Sequence, residues 1–314
     1  MPHPSPTSTP TGSLTDQEIA TQPGDWRTAA ALAASGPAGL PRRGERVAVV
    51  GCGTSWFMAQ AYAALRESGG HGETDAFAAS EFPAGRRYDR VLAITRSGTT
   101  TEVLRLLDGT DLPSTAITAC TDQPVAAAAD HLVDLGFADE RSVVQTRFAT
   151  TVLALLRAHL ESEEALPAGV RPVAEAAADA ERAVDWQVPD ELVALEQVSF
   201  LGAGWTNGLA QEAGLKMREA ALAWTEAYPA MEYRHGPVSI TAPGRAAWMF
   251  GELPAGLADE VAAVGGRLVA DSGAGGLDPL ADLVRVHRLA VALAAHRGLD
   301  PDRPRNLTRS IVLG

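Results

Sequence analysis

Short apolar runs rich in β-branched residues alternate with helical patterns from residue 46 onward. The runs occupy residues 46–50, 74–79, 90–94, 114–118 and 131–135, and a long amphipathic helical pattern follows at 146–162. Strands of a parallel sheet are covered by helices on both faces, so they appear in a sequence as short continuous apolar segments. The pattern therefore predicts an α/β fold with a mostly parallel sheet flanked by helices.

The same pattern restarts in the second part of the chain, where residues 197–201 form another apolar run. The segment "VVGCGTSWFMAQ" of the first part and "FLGAGWTNGLAQ" of the second share both glycines of a GxG turn and a later Ala-Gln pair, all at one constant offset. Self-similarity of this kind indicates a duplication. We predict two similar α/β halves, residues 14–170 and 171–314, with a proline-rich boundary near 167–172 and a disordered Pro/Ser/Thr-rich arm at 1–13.

The two GxG turns do not predict a dinucleotide site. Binding of a dinucleotide uses the spacing GxGxxG, whose third glycine allows close packing of helix and strand. Trp56 and Asn207 occupy that third position in the two halves. The sequence therefore predicts no nicotinamide cofactor, and nothing in it calls for another cofactor.

Composition restricts the partners of the protein. The sequence has 314 residues, of which 46% are hydrophobic and 21% charged, and its formal net charge is −13. A field of that sign repels nucleic acids and anionic membranes, so neither is an expected partner. No apolar segment reaches spanning length and the first residues lack the order of a secretory signal, so we expect a cytoplasmic protein. Cys52 and Cys120 are expected to be small packing residues rather than a disulfide or a metal site.

A cluster of hydroxyl side chains follows the apolar run at 90–94. The segment "TRSGTTTE" at 95–102 carries five Ser or Thr residues around Gly98, with Arg96 among them, and a helical pattern begins at its end. Free N–H groups and the dipole at a helix start attract anions, short hydroxyls add donors, and glycine lets the backbone approach a ligand. One N-cap needs one hydroxyl, so five predict a phosphate site rather than plain capping. The corresponding segment of the second half has no such cluster.

The densest group of chemically capable residues lies at 214–240. Lys216 and Glu219 are three residues apart in a helical pattern of small apolar residues, so they share a helix face and are expected to be partly buried. His235 precedes Gly-Pro, which stops a helix and fixes the imidazole at a turn. A solvated ion pair and an ordinary turn histidine are the simpler interpretations, but beside a phosphate loop these residues indicate proton-transfer chemistry.

At these residues the chain resembles the sugar isomerase (SIS) domain family, and in particular the isomerase half of glucosamine-6-phosphate synthase and its single-function relatives. The matching segments run nearly from end to end in family order, and they are "EIATQP" at 18–23, "GCGTS" at 51–55, "ASEF" at 79–82, "TRSGTTTE" at 95–102, "LKMREAALAWTEAYPAMEYRHGP" at 215–237 and "GLDPDRPRNLTRS" at 298–310. The resemblance implies two SIS subdomains, each a mostly parallel sheet flanked by helices.

The resemblance also implies roles for single residues. Glu219 would be the base that moves a proton between C1 and C2 of a sugar phosphate, with Lys216 beside it, and His235 would assist ring opening. The histidine of the family comes from the neighbouring subunit, which implies a homodimer with its sites at the interface. The implied phosphate ligands are Ser55, Thr95, Ser97 and Thr100.

Three departures from the family limit the transfer of its reaction. No glutaminase-like segment precedes the isomerase part, so the synthase reaction is not expected. Arg96 and Gln145 stand where the synthase has glutamine and serine, and "ERSVVQT" at 140–146 resembles instead the loop of the isomerase/deaminase relatives. Arg309 replaces the lysine that forms an imine with the sugar, and a protonated arginine can bind an anion but cannot be that nucleophile. Any imine would have to use Lys216, the one lysine of these motifs.

The sequence leaves four functions open. The first is isomerisation of a hexosamine 6-phosphate with loss of the amine. The second begins with the same removal of the C2 proton but expels the C3 substituent, an elimination that suits an N-acetylated sugar such as N-acetylglucosamine 6-phosphate. A deglycase for fructosamine phosphates is the third, and a non-catalytic phosphosugar sensor is the fourth. Glu219, His235 and the lack of a DNA-binding segment favour an enzyme over the sensor.

Overall fold

The computed structural model describes residues 12–83, 85–271 and 275–313. These residues form nine strands, ten α-helices and four short 3-10 helices. Across these ranges no helix is both long and apolar enough to cross a membrane. All strand pairs are parallel, so the α/β class predicted from the apolar runs is confirmed.

The first helix begins where the predicted arm ends. Residues 1–11 of that arm lie outside the described residues. The Ser13 hydroxyl caps α1 (Leu14–Ala34) by accepting the backbone N–H of Asp16 at 3.1 Å. The carboxylate of Asp302 accepts the first two backbone N–H groups of the helix at 2.7 and 2.9 Å, and it thereby ties the start of α1 to the C-terminal segment.

The first half contains a five-stranded parallel sheet in the spatial order β2-β1-β3-β4-β5. Its strands are β1 (Val47–Gly51), β2 (Thr74–Ala78), β3 (Arg90–Ile94), β4 (Ser114–Thr118) and β5 (His131–Asp134). Every residue of β1, β3 and β4 is buried, as continuous apolar runs predict for strands covered on both faces. The strand order reverses between β1 and β3, and the crevice at their carboxyl ends is where open α/β sheets bind ligands.

Four further helices accompany this sheet. They are α2 (Thr54–Ser68), α3 (Thr101–Asp108), α4 (Val125–Ala128) and α5 (Arg147–Ser162). α5 is buried along most of its length and packs against α1, where the Trp26 indole donates to the Thr150 hydroxyl at 3.1 Å. The long helix predicted from the amphipathic pattern is therefore a central element of the core.

The second half contains a four-stranded parallel sheet in the order β7-β6-β8-β9. Its strands are β6 (Gln197–Gly202), β7 (Trp224–Pro229), β8 (Arg245–Met249) and β9 (Arg267–Ala270), and its helices are α6 (Val173–Val184), α7 (Asp190–Val193), α8 (Thr206–Ala221), α9 (Leu257–Ala263) and α10 (Pro279–His296). The order again reverses between the first strand and the third, so both halves have the same switch point. α6 packs against both α1 and α10, so the boundary at residue 170 stays a prediction.

The two halves meet where α2 crosses α8. A Cβ on Gly208 of α8 would come within 2.5 Å of the Phe57 carbonyl oxygen and 3.0 Å of the Ala61 Cβ. Only glycine allows so close an approach of two helices. The crossing places the start of α2 beside α8.

Candidate functional site

The hydroxyl loop, residues 95–100, joins β3 to α3 at the switch point of the first sheet. Gly98 makes its turn with a φ of +66°, and a Cβ there would lie 2.7 Å from a methyl group of Val125. Thr100 is the N-cap residue of α3, but its hydroxyl makes no capping hydrogen bond. Capping therefore does not account for the cluster of hydroxyls.

The remaining hydroxyls of the crevice are buried or bonded to one another. Ser97 Oγ accepts the backbone N–H of Thr99 at 3.3 Å and its hydroxyl at 3.1 Å. Ser55 is buried at the start of α2, which lies at the same sheet edge because β1 and β3 are neighbours. Thr95 Oγ1 is buried and has no hydrogen-bond partner among the described residues. A buried hydroxyl costs free energy unless it is bonded, so Thr95 is suited to a polar ligand.

The guanidinium of Arg96 turns away from the hydroxyls of its own loop. It is buried, and its two terminal nitrogens donate to the Glu140 carboxylate at 3.4 Å and to the carbonyl oxygens of Ser142, Val143 and Arg309 at 3.2, 3.3 and 3.1 Å. These contacts tie the hydroxyl loop to the segment before α5 and to the C-terminal tail. A role of Arg96 in phosphate binding stays a prediction.

The C-terminal tail crosses the rim of the hydroxyl loop. Ser310 Oγ hydrogen-bonds to Thr99 Oγ1 at 2.9 Å, and the Ile311 carbonyl oxygen accepts the backbone N–H of Thr101 at 3.2 Å. Thr101 Oγ1 in turn accepts the backbone N–H of Leu313 at 2.9 Å. The tail thus engages one N–H of the first turn of α3 and covers one side of the loop.

Arg309 and Gln145 lie on the two segments that Arg96 ties to the hydroxyl loop. The Arg309 guanidinium pairs with the Asp139 carboxylate and donates to the Glu140 carbonyl oxygen. Gln145 follows a few residues later, and its side-chain oxygen is buried without a hydrogen-bond partner in the described part of the chain. Arg96 therefore links both segments to the loop, and the binding of a substrate by Arg309 and Gln145 stays a prediction.

Lys216 and Glu219 form an ion pair on α8, as their spacing predicts. The Lys216 side chain is 1% exposed and that of Glu219 is 18% exposed. A second carboxylate, that of Glu212, lies 3.6 Å from the Lys216 ammonium nitrogen and is fully buried. The ammonium therefore lies between two carboxylates, of which Glu219 is the one open to solvent.

Burial controls the protonation of this trio. Burial raises the pKa of Glu212 to about 8, against the opposing charge of Lys216 and with a further contribution from Glu219. Burial alone would lower the pKa of Lys216, but the two carboxylates outweigh it and the pKa is raised. His287 on α10 is also buried, and burial together with the Lys216 charge lowers its pKa to about 3. Near neutral pH the group therefore holds a charged lysine beside a neutral histidine.

His235 stands apart from the trio. It ends a 3-10 helix (Glu232–His235), and Gly236, with a φ of +136°, precedes the next one (Pro237–Ile240). Its side chain is exposed, and no hydrogen bond or ion pair between described residues joins it to Glu219. One chain therefore does not bring the predicted histidine to the predicted base.

Two carboxyl-bearing residues of the site, Glu212 and Glu140, were not predicted from the sequence. Glu212 precedes Lys216 by four residues, a spacing that puts two side chains on one helix face and that could have identified it. Glu140 is fully buried, pairs with Arg96 and accepts the backbone N–H of Arg147 at 2.9 Å. It is 44 residues away from Arg96 in the sequence, so no local pattern could have shown that contact.

Two parallel sheets, each flanked by helices and each with the same switch point, form the two-subdomain SIS fold. No protein-family model matches the chain. It is 27% identical over 302 residues to the isomerizing glutamine–fructose-6-phosphate aminotransferase of Sulfurisphaera tokodaii, an alignment that covers 87% of this chain and 51% of that protein. Identity to the protein of the same name from Methanothermobacter thermautotrophicus is 28% over 314 residues, or 86% of this chain and 52% of that one. The chain spans about half the length of the curated relatives it matches.

Solved structures agree with these relatives. Glucosamine-6-phosphate deaminase from Thermotoga maritima superposes with a TM-score of 0.77 at 24% identity, covering 96% of this chain and 100% of that one. The C-terminal domain of glucosamine-fructose-6-phosphate aminotransferase from Francisella tularensis gives 0.79 at 20% identity, with 95% and 100% covered. Tagatose-6-phosphate ketose/aldose isomerase from Escherichia coli gives 0.70 at 18% identity, with 98% of each chain covered. Together with the sequence relatives, they confirm the predicted resemblance to the SIS family.

Proposed function

We propose that the protein is an enzyme that acts on a hexosamine 6-phosphate and begins by removing its C2 proton with Glu219. The observation that carries this proposal is the position of the Lys216–Glu219 pair, on a helix that packs against the start of α2 at the edge of the hydroxyl loop. The relatives support it, because the aminotransferase, the deaminase and the ketose/aldose isomerase are all named for sugar 6-phosphates.

The phosphate would bind in the hydroxyl loop. The net charge of −13 gives an anionic substrate no long-range attraction, so local donors must hold it. The hydroxyls of Ser55, Thr95, Ser97 and Thr100 and the N-terminal N–H groups of α3 are such donors. Arg96 contributes by fixing the loop to the segment that carries Gln145.

The proposed reaction starts from the open-chain aldose. Glu219 takes the C2 proton, and the electrons of the C2–H bond form a C1–C2 double bond while the carbonyl oxygen takes a proton from water and becomes a hydroxyl. The Lys216 ammonium lies beside the base and stabilises the negative charge that develops on oxygen. Return of the proton to C1 and loss of one N–H proton convert the C2 amine into an imine, which water hydrolyses to a ketose 6-phosphate and ammonia. None of these steps needs a bond to the protein.

Elimination is the second candidate, and the environment of Arg309 suits it. An acetylated nitrogen cannot become a free imine, so the electrons released at C2 would expel the C3 substituent instead. This outcome needs no covalent bond to the protein, and Arg309 offers no amine because its guanidinium is paired with Asp139. Both candidates depend on Glu219 and differ in their products.

We also propose that two copies of the chain build each site. β7 is an edge strand, and three apolar side chains on or beside it, Leu222, Trp224 and Met231, are 45%, 49% and 52% exposed. Exposed apolar groups of this size mark interaction surfaces. The family resemblance implies that the histidine comes from the neighbouring subunit, and we assign the contact between copies to this edge, from which the exposed His235 of one copy would reach the Glu219 of the other.

NMR of the reaction mixture in D₂O tests the proposal. The protein is incubated separately with glucosamine 6-phosphate, N-acetylglucosamine 6-phosphate and fructose 6-phosphate. Fructose 6-phosphate and ammonium from the first substrate support isomerisation with deamination, and an unsaturated or C3-cleaved product from the second supports elimination. Binding of these sugars without turnover and without exchange of the C2 proton would contradict both and favour a sensor.

A further inference from the structure

The segment "EIATQP" at 18–23 lies in α1, far in sequence from the hydroxyl loop and from α8. Two of its polar residues are inside the protein, since Glu18 is 6% exposed and Gln22 is 0% exposed. A carboxylate is buried in a protein when polar or charged partners compensate for the water it has lost. The partners of Glu18 therefore indicate what this part of α1 does.

The partners of Glu18 lie 123 and 124 residues away, in the segment before α5. The Glu18 carboxylate accepts the backbone N–H of Arg141 at 2.6 Å and that of Ser142 at 3.4 Å. The Ser142 hydroxyl also donates to it. Three donors of one segment thus converge on a single buried carboxylate of α1.

The segment at 140–146, which contains Gln145, has neither a helix nor a strand, and side chains fix its backbone. Glu18 binds its first N–H groups, and Arg96 binds two of its carbonyl oxygens. At its end the Glu140 carboxylate accepts the Thr146 hydroxyl and the backbone N–H of Arg147, both at 2.9 Å. Buried backbone groups need partners, so an irregular segment keeps its shape through contacts of this kind.

The same segment has polar groups that the described residues leave unused. Val144 is 1% exposed, yet its backbone N–H has no acceptor among the described residues. The side-chain oxygen of Gln145 is buried and likewise has no donor there. An unused donor and an unused acceptor in adjacent buried residues suit a ligand that offers both, as the hydroxyl groups of a sugar do.

We propose that Glu18 is a positioning residue that holds the segment at 140–146 so that Gln145 and the N–H of Val144 bind the sugar part of the substrate, while the hydroxyl loop binds its phosphate. This inference rests on the proposed function and gives α1 a task in it. Glu18 does not touch the substrate, because its carboxylate is buried against the segment that it holds.

The hydroxyl loop and the C-terminal tail have anchors that do not involve Glu18. One turn before Glu18, the Asp302 carboxylate accepts the backbone N–H of Thr15 at 2.9 Å and its hydroxyl at 2.7 Å, which ties α1 to the C-terminal segment. Arg96 ties the hydroxyl loop to Glu140 and to the carbonyl oxygen of Arg309. A change at Glu18 should therefore affect the segment at 140–146 and spare the phosphate site.

Hydrogen exchange measures the hold of Glu18 on the segment. Glu18→Gln keeps one acceptor oxygen and turns the other into a donor, so the amides of Arg141 and Ser142 should exchange at least about tenfold faster than in the wild type. The amide of Arg147, which Glu140 holds, should not change. Asp16→Asn is the matched control, because Asp16 lies on the same helix and pairs with Arg288 at the surface. Equal exchange rates in Glu18→Gln and the wild type would overturn the inference.

Binding of two ligands distinguishes positioning from general support of the fold. By calorimetry, Glu18→Gln should bind glucosamine 6-phosphate at least about tenfold more weakly than the wild type, because displaced sugar contacts are lost. By ³¹P NMR titration, its affinity for inorganic phosphate should be unchanged. An equal loss for both ligands, or no loss for glucosamine 6-phosphate, would overturn the inference. Both affinities should be unchanged in Asp16→Asn.

The outcomes for Glu18 and for the proposed function are separable. A wild-type protein that binds glucosamine 6-phosphate without turning it over would refute the function and not the role of Glu18. If Glu18→Gln does not fold, Ser142→Ala takes its place, because it removes the hydroxyl that donates to Glu18 from the other side of the contact. Wild-type exchange rates and affinities in Ser142→Ala would then overturn the inference.

Discussion

The two switch points of the molecule share a backbone and differ in their side chains. In each half a GxG turn follows the central strand, and its second glycine has nearly the same conformation, with a φ of +54° at Gly53 and +56° at Gly204. The first switch point adds the hydroxyl loop, whose Thr100 hydroxyl is not used for capping. At the second, Thr206 uses its hydroxyl inside the protein, where it accepts an N–H of its own turn at 2.8 Å and donates to the Phe250 carbonyl oxygen at 3.1 Å.

The second switch point also lacks an unpaired cation for a phosphate among the described residues that line its cavity. That cavity has a volume of about 540 Å³, and of its three acidic wall residues Asp271 is paired with Arg285 and Asp278 with Arg157, while Glu252 has no ion-pair partner among the described residues. Arg171 lines it too, but its guanidinium is paired with Asp179. The fold therefore offers two similar places for a ligand, and the residues that follow the third strand of each half decide which place suits an anion.

The largest expected effect is the loss of turnover when Glu219 is replaced, with Glu252 at the second switch point as the control. Glu219→Gln should reduce turnover of the active sugar phosphate by at least about 10²–10⁴-fold, because both candidate reactions begin with the C2 proton. Glu252→Gln should leave turnover unchanged. The measurement is kcat, together with exchange of the C2 proton into D₂O. Normal turnover in Glu219→Gln would refute the mechanism.

The hydroxyls of the two switch points should respond in opposite ways. Ser97→Ala combined with Thr100→Ala should weaken binding of sugar phosphates, by about 1.5–3 kcal/mol for each hydrogen bond lost to a charged group, with the fold retained. Thr206→Ala should instead lower the free energy of unfolding by about 1–3 kcal/mol, because it leaves buried polar groups without a partner, and should spare binding. Calorimetry and urea unfolding distinguish the two. Unchanged affinity in the double variant would move the phosphate site elsewhere.

Mixing two inactive variants tests whether the first switch point needs a second copy of the chain. Glu219→Gln and His235→Ala proteins, combined under conditions of subunit exchange, should recover about a quarter of wild-type activity, because half of the dimers are mixed and each has one intact site. Size-exclusion chromatography and exchange of labelled subunits are the controls. No recovery after demonstrated exchange would mean that each site is built within one chain or that His235 has another role.

Stability against pH should distinguish two buried carboxyl groups. Burial raises the pKa of Glu212 to about 8 and that of Asp282 to about 6, so each stabilises the fold when protonated and loses that contribution as the pH rises through its folded pKa. Between pH 6 and 8 the wild-type free energy of unfolding should fall with a slope of up to about 1.4 kcal/mol per pH unit from Glu212. Glu212→Gln should flatten that slope and Asp282→Asn should retain it. Urea unfolding at several pH values gives the curves, and equal slopes in all three proteins would contradict the assignment.

Arg309→Lys should have the smallest effect. A lysine keeps a cation near Asp139 and so preserves binding of the sugar phosphate within a few-fold, but it loses the planar contact that also reaches the Glu140 carbonyl oxygen. Turnover should therefore change more than affinity. Calorimetric Kd values and kcat measured side by side check this, and a loss of binding without a change in turnover would contradict it.

The strands and the acid–base pair were accessible from the sequence, whereas the contacts between distant segments were not. The runs at 90–94 and 114–118 predict β3 and β4 to the residue, because strands covered on both faces appear as short segments rich in apolar and β-branched residues. The spacing of Lys216 and Glu219 likewise predicts their pairing, because helix geometry is local. Arg96 shows the limit, since its partners lie 44 to 213 residues away and only the folded chain reveals them.

Gly208 is part of neither the hydroxyl loop nor the Lys216–Glu219 pair, yet it determines the distance between them. The hydroxyl loop follows a strand of the first sheet and α8, which carries the proposed base, follows a strand of the second, and the two halves touch where Gly208 of α8 has no side chain. A methyl group at this position, as in Gly208→Ala, would clash with α2 and push α8 away from it. The distance between the hydroxyl loop and Glu219 would then increase. A sugar phosphate has a fixed length between its phosphorus and C2. The distance between the hydroxyl loop and the proposed base, which has to match that length, therefore depends on the lack of a Cβ atom at Gly208.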